Sequence, residues 1–331
     1  MTEAANPVLA EVWRGQIIES VHRGSAVVCR ADGTIEAAWG DPSRVILPRS
    51  SCKMVQALPL VESGIADRRG LTDRHLALAC ASHQGAAVHT DLARAWLSDL
   101  GLAEAALRCG PQIPSDAEAR HGLRESGVCA DQTHNNCSGK HCGFLTLGQA
   151  LGGGAEYHEV DHPVQEAVRQ ATAEVADEEL GAFAIDGCSA PNYAMSLRGL
   201  ATSMARFAVP GPDGRGRAMA RLVGAMAAHP VLVAGERRAC TALIRACAGR
   251  AVVKTGAEGV FVAILPEVGL GIALKCDDGS TRGSEAAITA LLARYGALDR
   301  AHPSFAAHAD APLTNRRGVI HGHLRAGPLL L

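Results

Sequence analysis

The stretch Leu47-Pro48-Arg49-Ser50-Ser51-Cys52-Lys53 separates an N-terminal segment with a β pattern from a long helical middle. Ser50 and Lys53 are three residues apart, so on a helix they share one face and the amine can reach the hydroxyl. A serine hydroxyl becomes an effective nucleophile when a neighbouring base takes its proton, and a desolvated, neutral lysine can be that base. The stretch therefore predicts acyl transfer at Ser50, in a helix that begins near Ser50 or Ser51.

Lysine is rare in this chain. Only four of the 32 Lys and Arg residues are lysines, namely Lys53, Lys140, Lys254 and Lys275. Lysine differs from arginine in that it can lose its proton inside a protein. Two of the four lie in Ser50-x-x-Lys53 and in Lys254-Thr255-Gly256, a pair of motifs typical of serine β-lactamases and penicillin-binding proteins. Ser82 is a candidate for the third polar group of such a site.

Each of these residues also has a purely structural explanation. A compositional bias toward arginine accounts for most of the low lysine count. A serine before an apolar run is more often a helix cap than a nucleophile. Lys254 can equally be a surface lysine at the end of a strand. The two motifs taken together favour the catalytic interpretation.

The composition excludes several classes of function. Hydrophobic residues make up 47% of the 331 residues and charged residues 20%, and the net charge is −2. Such a balance gives no reason to expect nucleic acid or an acidic membrane as a partner. The N-terminal Met1–Pro7 lacks the basic and apolar pattern of a signal peptide. Together with eleven cysteines, an odd number, this predicts reduced thiols and a cytoplasmic location.

Both ends of the chain have β patterns. The dipeptide Asp32-Gly33 between two apolar segments predicts a hairpin, and three further apolar segments near the C-terminus predict an antiparallel meander. We therefore expect an α/β (α+β) fold, in which an antiparallel sheet formed by both chain ends is flanked by helices. A single domain over residues 1–331 is expected, with β-rich ends at about 9–46 and 251–331 and a helical middle at about 50–250. The tail beyond Pro303 is expected to be loose.

The segment from His134 to Gly143 is the densest polar cluster of the sequence. Its soft ligands suit zinc, and they are His134, Cys137, His141 and Cys142. A polar loop near the active site or a local redox role explains the cluster equally well. Cys188 can supply a distant ligand. Asp186 is a candidate for binding a substrate ammonium group, or alternatively a turn-capping aspartate.

The amino-acid sequence of several segments resembles that of the type III L-asparaginases, the rhizobial-type asparaginase II family. The resemblance extends over about Val12 to Arg282. The matching segments are Leu47 to Lys53 with Gln56 to Gly64, His134 to Leu145, Asp186-Gly187-Cys188, and Val253 to Phe261. The resemblance implies a fold similar to the serine β-lactamases and penicillin-binding proteins. It also implies a homodimer that hydrolyses the small molecule L-asparagine to L-aspartate and ammonia.

By residue, the resemblance implies two Ser-Lys pairs, Ser50 with Lys53 and Ser82 with Lys254. It further implies one zinc ion per subunit, held by Cys137, Lys140 and Cys188 with water, and this set replaces the one suggested by sequence spacing. Lysine as a ligand requires a neutral amine. We expect Ser50 to attack the substrate amide while Lys53 takes its proton, and Ser82 and Lys254 to relay protons. The expected substrate contacts are Arg49, Asp186 and His141.

Other functions share parts of this pattern. Glutaminase activity differs by one methylene group in the pocket. A β-lactamase-like or peptide-cleaving acyl-serine hydrolase would also use Ser50, Lys53 and Lys254. A non-enzymatic zinc-binding regulator would need Cys137 and Cys188 but not Ser50. Measuring ammonia release and nitrocefin turnover separates these possibilities.

Overall fold

The computed structural model of the protein describes residues 6–331. The first five residues, which belong to the segment predicted to lack a signal, lie outside the described residues. The chain divides into two compact units. Among the described residues, unit 1 contains 6–51, 195–209 and 242–331, and unit 2 contains 52–194 and 210–241. The sequence pattern predicts a single domain over residues 1–331.

Twelve strands are present in the described part of the chain. They are β1 (Val8–Arg14), β2 (Ile17–Cys29), β3 (Ile35–Trp39), β4 (Val45–Ile46), β5 (Phe183–Ile185), β6 (Pro191–Tyr193), β7 (Met195–Ser196), β8 (Val252–Thr255), β9 (Val260–Leu265), β10 (Leu270–Cys276), β11 (Asp310–Thr314) and β12 (Ile320–Ala326).

Fourteen α-helices lie within residues 6–331. They are α1 (Lys53–Gln56), α2 (Leu58–Glu62), α3 (Ile65–Arg68), α4 (Asp73–Ala79), α5 (Ala87–Asp99), α6 (Ala117–Ser126), α7 (Ser138–Leu151), α8 (Pro163–Ala176), α9 (Leu197–Ala208), α10 (Gly214–Ala228), α11 (Pro230–Ala234), α12 (Ala239–Cys247), α13 (Thr281–Arg294) and α14 (Pro303–His308).

Unit 1 is built on an eight-stranded antiparallel sheet. The strand order is β11-β12-β1-β2-β10-β9-β8, and β3 also pairs with β2. The strands β1 to β3 come from the N-terminal end of the chain and β8 to β12 from the C-terminal end. The predicted fold class, an antiparallel sheet formed by both chain ends with flanking helices, is therefore confirmed.

Helices cover both faces of this sheet. A Cβ added at Gly271 of β10 would lie 2.1 Å from the backbone nitrogen of Ala205 in α9, so this position faces α9 and requires glycine. Cys276 is five residues further along β10, and its side chain therefore points to the opposite face. There its sulfur lies near Gly283 of α13. Because helices cover both faces of the sheet, every residue of β9 is buried and apolar.

The predicted hairpin around Asp32-Gly33 is confirmed as β2 paired with β3. The expectation of a loose tail beyond Pro303 is wrong, because α14, β11 and β12 lie there and β12 pairs with β1 from Ala10 to Arg14. β11 has no buried residue and contains Pro312, and in β12 buried residues alternate with more exposed ones. They therefore lack the continuous apolar run by which the other C-terminal strands were found.

Unit 2 is helical, and α7 is its central helix. The residues from Ser138 to Gly148 are all buried, and α7 contacts α2, α4, α5 and α8. A Cβ added at Gly139 would lie 2.2 Å from the carbonyl oxygen of Leu78. The backbones of α7 and α4 approach so closely that only glycine fits there.

Two further observations concern the chain as described. Within residues 6–331 no helix has both the length and the apolar character needed to cross a bilayer. All eleven cysteines are free thiols, and all except Cys129 are buried.

Candidate active site

The backbone around Ser50 is a single 3₁₀ turn, Arg49–Cys52, that leads directly into α1. The prediction that Ser50 or Ser51 caps this helix is wrong. The hydroxyl of Ser51 donates to the carbonyl oxygen of Pro48 at 2.7 Å, and the residue at the cap position is Cys52, which makes no side-chain capping bond. The tight 3₁₀ turn places both serines inside the helical segment rather than before it.

Arg49 has a left-handed backbone conformation, with φ at 53°. For a residue with a side chain this conformation costs on the order of 1–3 kcal/mol, and it persists where the surrounding structure enforces it. The strained residue is the immediate neighbour of Ser50, which is half-buried. Such strain is common at functional sites.

The Lys254-Thr255-Gly256 motif packs against the same turn within unit 1. A Cβ on Gly256 would lie 2.8 Å from the carbonyl oxygen of Pro48 and 3.2 Å from Cβ of Ser51, so the two segments touch through their backbones. Lys254 is only 1% exposed, and its Nζ donates to the carbonyl oxygen of Thr255 at 2.8 Å. The alternative of a surface lysine at this position is therefore wrong.

Lys53, in unit 2, is a buried amine with several polar contacts. It is 1% exposed, and its Nζ lies 3.2 Å from Oγ of Ser82 and 3.1 Å from Sγ of Cys137. The same nitrogen donates to the carbonyl oxygen of Ala81 and, at 3.4 Å, to that of Asn136. A buried amine is thereby held in a fixed position against a serine hydroxyl.

The structure brings two of the four predicted catalytic residues, Lys53 and Ser82, into hydrogen-bond contact within unit 2. The resemblance had implied Ser82 as the partner of Lys254 and Ser50 as the partner of Lys53. Ser50 and Lys254 both belong to unit 1, in the two segments that touch there. The roles of all four residues stay predictions.

A second buried cluster in unit 2 contains Cys137, Lys140 and Cys188. Nζ of Lys140 lies 3.0 Å from Sγ of Cys188. Hydrogen bonding from Cys137 and the charge of Lys140 hold the pKa of Cys188 well below its ordinary value, against the effect of burial. Burial by itself lowers the pKa of Lys140, but the charges of Cys188 and Cys137 outweigh it and raise the pKa overall. These pKa shifts favour a thiolate at Cys188 beside an ammonium group at Lys140, 3.0 Å apart.

His141 adjoins this cluster, and its tautomer follows from its neighbours. The hydroxyl of Tyr157 accepts the backbone N–H of Arg108 at 2.8 Å and therefore donates its own proton to Nδ1 of His141, also at 2.8 Å. Nδ1 is thus an acceptor, and the ring proton resides on Nε2. Burial lowers the pKa of His141 to about 4, and Cys188 acts on the ring in the opposite direction. Nε2 of the neutral ring is buried and has no hydrogen-bond partner among the described residues, so its N–H is a free donor.

Cys137, Lys140 and Cys188 are the zinc ligands that the family resemblance implies. All three are buried, Cys188 contacts both of the others, and two thiols with one nitrogen donor suit zinc. The implied set therefore fits by donor type, and Lys140, whose pKa is raised, would have to release its proton to bind the ion. Within residues 6–331 no three His, Cys, Asp or Glu side chains lie together so that they could hold a metal ion.

The ligand set suggested by sequence spacing is accordingly wrong. Nδ1 of His134 is bonded to Asp131 at 2.8 Å, and the Cys142 sulfur is directed to the carbonyl oxygen of Ala93. Sequence proximity did not bring these side chains together, because successive residues of a helix point in different directions. Of the proposed members, His141 and Cys137 are the two that lie near Cys188.

Asp186 lies in the turn between β5 and β6. One of its carboxylate oxygens accepts the backbone N–H of Gly187 at 2.8 Å, which is the turn-capping role given above as the alternative. Its charge also acts on Lys140, so the carboxylate lies near the thiol–lysine cluster. The proposed contact with a substrate ammonium group stays a prediction.

Sequence reasoning missed three groups that hold this site in place. Tyr157 fixes the tautomer of His141, the carbonyl oxygen of Asn136 binds Lys53, and His83 lies beside Ser82. None of them has a local pattern that links it to its partner. The one local signal for His83 is its position directly after the candidate Ser82.

The chain was compared with solved structures. Mglu in its native form is 12% identical over 82% of this chain and 64% of that chain, with a TM-score of 0.48. A beta-lactamase from Mycobacterium bovis is 16% identical over 82% of this chain and 94% of that chain, with a TM-score of 0.40. This chain thus spans 64% of the length of Mglu.

The comparison with curated proteins found no match. The comparison with protein families found one, described as L-asparaginase II, over residues 10–326. This range includes every candidate site residue named above. Because the match extends over nearly all of the 331 residues, the chain belongs to the L-asparaginase II family.

Proposed function

We propose that this protein is an L-asparaginase that hydrolyses L-asparagine to L-aspartate and ammonia through an acyl-enzyme on Ser50. Membership of the L-asparaginase II family supports an amidohydrolase. The observation that carries the proposal is the buried amine of Lys53, held 3.2 Å from the Ser82 hydroxyl and one helical turn after Ser50. An amine fixed beside a serine hydroxyl is what a serine hydrolase without a histidine base requires.

In the proposed reaction, Oγ of Ser50 attacks the side-chain amide carbon of asparagine while Nζ of Lys53 takes the hydroxyl proton. The proton then passes to the departing nitrogen, with Ser82 and Lys254 as relay groups, so that ammonia leaves and an aspartyl ester of Ser50 remains. Water attacks the ester with Lys53 again as the base, and the proton returns to Ser50 as aspartate leaves. Backbone N–H groups near Ser50 are proposed to stabilise the oxyanion.

The substrate contacts are assigned by charge. Arg49 is proposed to bind the α-carboxylate and Asp186 the α-ammonium group. The N–H donor of His141 is proposed to help orient the substrate, since its neutral tautomer is fixed by Tyr157. The left-handed conformation of Arg49, directly before Ser50, agrees with a functional role for this residue.

We also propose that Cys137, Lys140 and Cys188 hold one zinc ion per chain. When bound, this ion would supply Lewis-acid chemistry and orient the substrate, since Ser50 already supplies the nucleophile. The thiolate of Cys188 is the donor most ready to bind, because a thiol must lose its proton to act as a ligand. The homodimer implied by the family resemblance stays a prediction that sedimentation analysis can test.

Ammonia release from L-asparagine and from L-glutamine tests this proposal, with nitrocefin as a third substrate and each assay repeated with a chelator. We expect ammonia from L-asparagine, and a loss of at least about 10³-fold in Ser50→Ala. Ser126→Ala, which removes an exposed hydroxyl on α6, is the matched control and should remain fully active. Nitrocefin turnover without ammonia release would overturn the proposed substrate. Full activity of Ser50→Ala would overturn the proposed nucleophile.

A further inference from the structure

His83 directly follows Ser82 and is 2% exposed. Its backbone N–H donates to the carbonyl oxygen of Asn136 at 3.2 Å, and the backbone N–H of Ser82 donates to that of Val233 at 2.9 Å. Its ring nitrogen Nε2 lies 2.9 Å from Oγ of Ser138, the first residue of α7. His83 therefore connects the segment that carries Ser82 to the start of the central helix of unit 2.

The neighbours of the His83 ring determine its protonation. Nδ1 accepts the backbone N–H of Gly85 at 3.1 Å and so has no proton of its own. The Ser138 hydroxyl donates to the carbonyl oxygen of Thr133 at 3.0 Å and is therefore an acceptor toward His83. Nε2 must supply the proton of that contact. The ring is thus a neutral Nε2–H tautomer with both nitrogens satisfied.

The surroundings of the ring favour the neutral form. Burial, and after it the neighbouring His89, Lys53 and His134, hold the pKa of His83 well below its ordinary value. The ring of His89 is stacked on it, with centroids 4.7 Å apart and planes 8° apart. His83 is therefore a fixed hydrogen-bond donor rather than a proton carrier.

The same two segments supply the groups that bind Lys53. Nζ of Lys53 contacts Ala81 and Ser82 on one segment, and Asn136 and Cys137 on the other. A displacement of one segment from the other would pull these acceptors apart. The bond from His83 to Ser138 is the side-chain contact that joins the two segments beside the amine.

We infer that His83 is a positioning residue, which holds the Ser82 segment against the start of α7 and thereby sets the contact between Lys53 and Ser82. The inference rests on the roles proposed above for Lys53 and Ser82. A misplacement of about 1 Å in such a site can cost on the order of 10²-fold in rate. The effect should appear in kcat, because His83 acts on the catalytic amine and is not among the proposed substrate contacts.

The rarity of lysine provides a readout that needs no substrate. In protein labelled with ¹³C at the lysine Cε, the four lysines give four resolvable signals, and Lys53→Arg identifies the signal of Lys53. His83→Leu and Ser138→Ala should shift the Lys53 signal and leave that of Lys275, which lies in unit 1, unchanged. His83→Gln should restore the wild-type shift, because its amide nitrogen can replace Nε2 as the donor. His121→Leu, on the exposed face of α6, is the matched control.

Steady-state kinetics of the same variants is the second measurement. We expect kcat to fall by about 10- to 100-fold in His83→Leu with KM within about twofold, and to recover in His83→Gln. Unchanged Lys53 signals in both His83→Leu and Ser138→Ala would overturn the inference, as would equal kcat in all variants. If His83→Leu does not fold, Ser138→Ala alone decides. A wild-type protein that releases no ammonia would refute the proposed function, whereas the Lys53 signal would still decide the role of His83.

Discussion

Nζ of Lys53 lies 3.2 Å from Oγ of Ser82, although the two residues are 29 positions apart in the sequence. Both are buried, and three further acceptors surround the same amine, namely two carbonyl oxygens and the Cys137 sulfur. An amine held in this way occupies one position relative to the hydroxyl. The proposed chemistry depends on this relationship.

Replacing Lys53 by arginine tests whether its ability to lose a proton matters. Arginine keeps the charge but does not deprotonate in a protein. Lys53→Arg should therefore lower kcat for ammonia release by about 10²- to 10⁴-fold. Lys275→Arg is the matched control, because Lys275 donates only to the backbone carbonyls of Glu258 and Cys276 among the contacts described and a guanidinium can do the same. Equal losses in the two variants would contradict a role as base.

Elemental analysis tests the zinc site. The protein purified without chelator should contain one zinc ion per chain. Cys188→Ser should lower the zinc affinity by at least about tenfold, since the hydroxyl of serine does not replace a thiolate. Cys129→Ser, at the single exposed cysteine, should retain the metal. Equal zinc content in both variants would show that Cys188 is not a ligand.

The buried histidines predict a loss of stability in acid. Burial lowers the pKa of His89 below its ordinary value of 6.5, so the ring stays neutral in the folded chain while the unfolded chain takes up a proton. The unfolded state then binds more protons, and the free energy of unfolding falls as the pH drops below about 6.5, by at most about 1.4 kcal/mol per pH unit for each such group.

The test is a pair of urea denaturation series between pH 5 and pH 7. His89→Gln keeps a donor for the carbonyl oxygen of Val231 but removes the titrating group, so the slope with pH should become smaller by one group. His121→Gln, at an exposed histidine, should leave the slope unchanged. A steeper slope in His89→Gln would contradict the assignment.

Two glycines on helices of unit 2 should respond to alanine in opposite directions. At Gly139 a new Cβ would meet the carbonyl oxygen of Leu78 at 2.2 Å, so Gly139→Ala should cost about 1–3 kcal/mol or more from overpacking. At Gly122, inside α6, a Cβ would have no neighbour within 4 Å among the residues described. Gly122→Ala should therefore stabilise the protein by up to about 1 kcal/mol. Thermal unfolding of both variants checks the pair.

The fold was predictable to the extent that its signals are local. Asp32-Gly33 defines a hairpin within a few residues, and the buried strands β9 and β10 are continuous apolar segments. The outer strands β11 and β12 escaped prediction, because neither has a continuous buried apolar segment and because β12 pairs with β1 at the other end of the chain. Long-range pairing of this kind has no signature in one segment alone.

In the candidate site, too, local features were predictable and long-range contacts were not. The spacing of Ser50 and Lys53 and the rarity of lysine identified the residues that bear the proposed chemistry. The bond from His83 to Ser138 spans 55 positions, and that from Tyr157 to His141 joins a helix to a loop, so neither could be inferred from spacing. The helix-cap interpretation of Ser50 failed for a geometric reason, since the turn at Arg49–Cys52 is 3₁₀ and begins before the serines.

The central claim, an ester on Ser50, is tested most directly by trapping it. The protein is mixed with L-asparagine, quenched in acid during turnover, and digested for peptide mass spectrometry. We predict an aspartyl adduct on the peptide that contains Ser50, which is absent from Ser50→Ala. An adduct on the peptide that contains Ser82, or steady ammonia release with no adduct on either serine, would contradict the account.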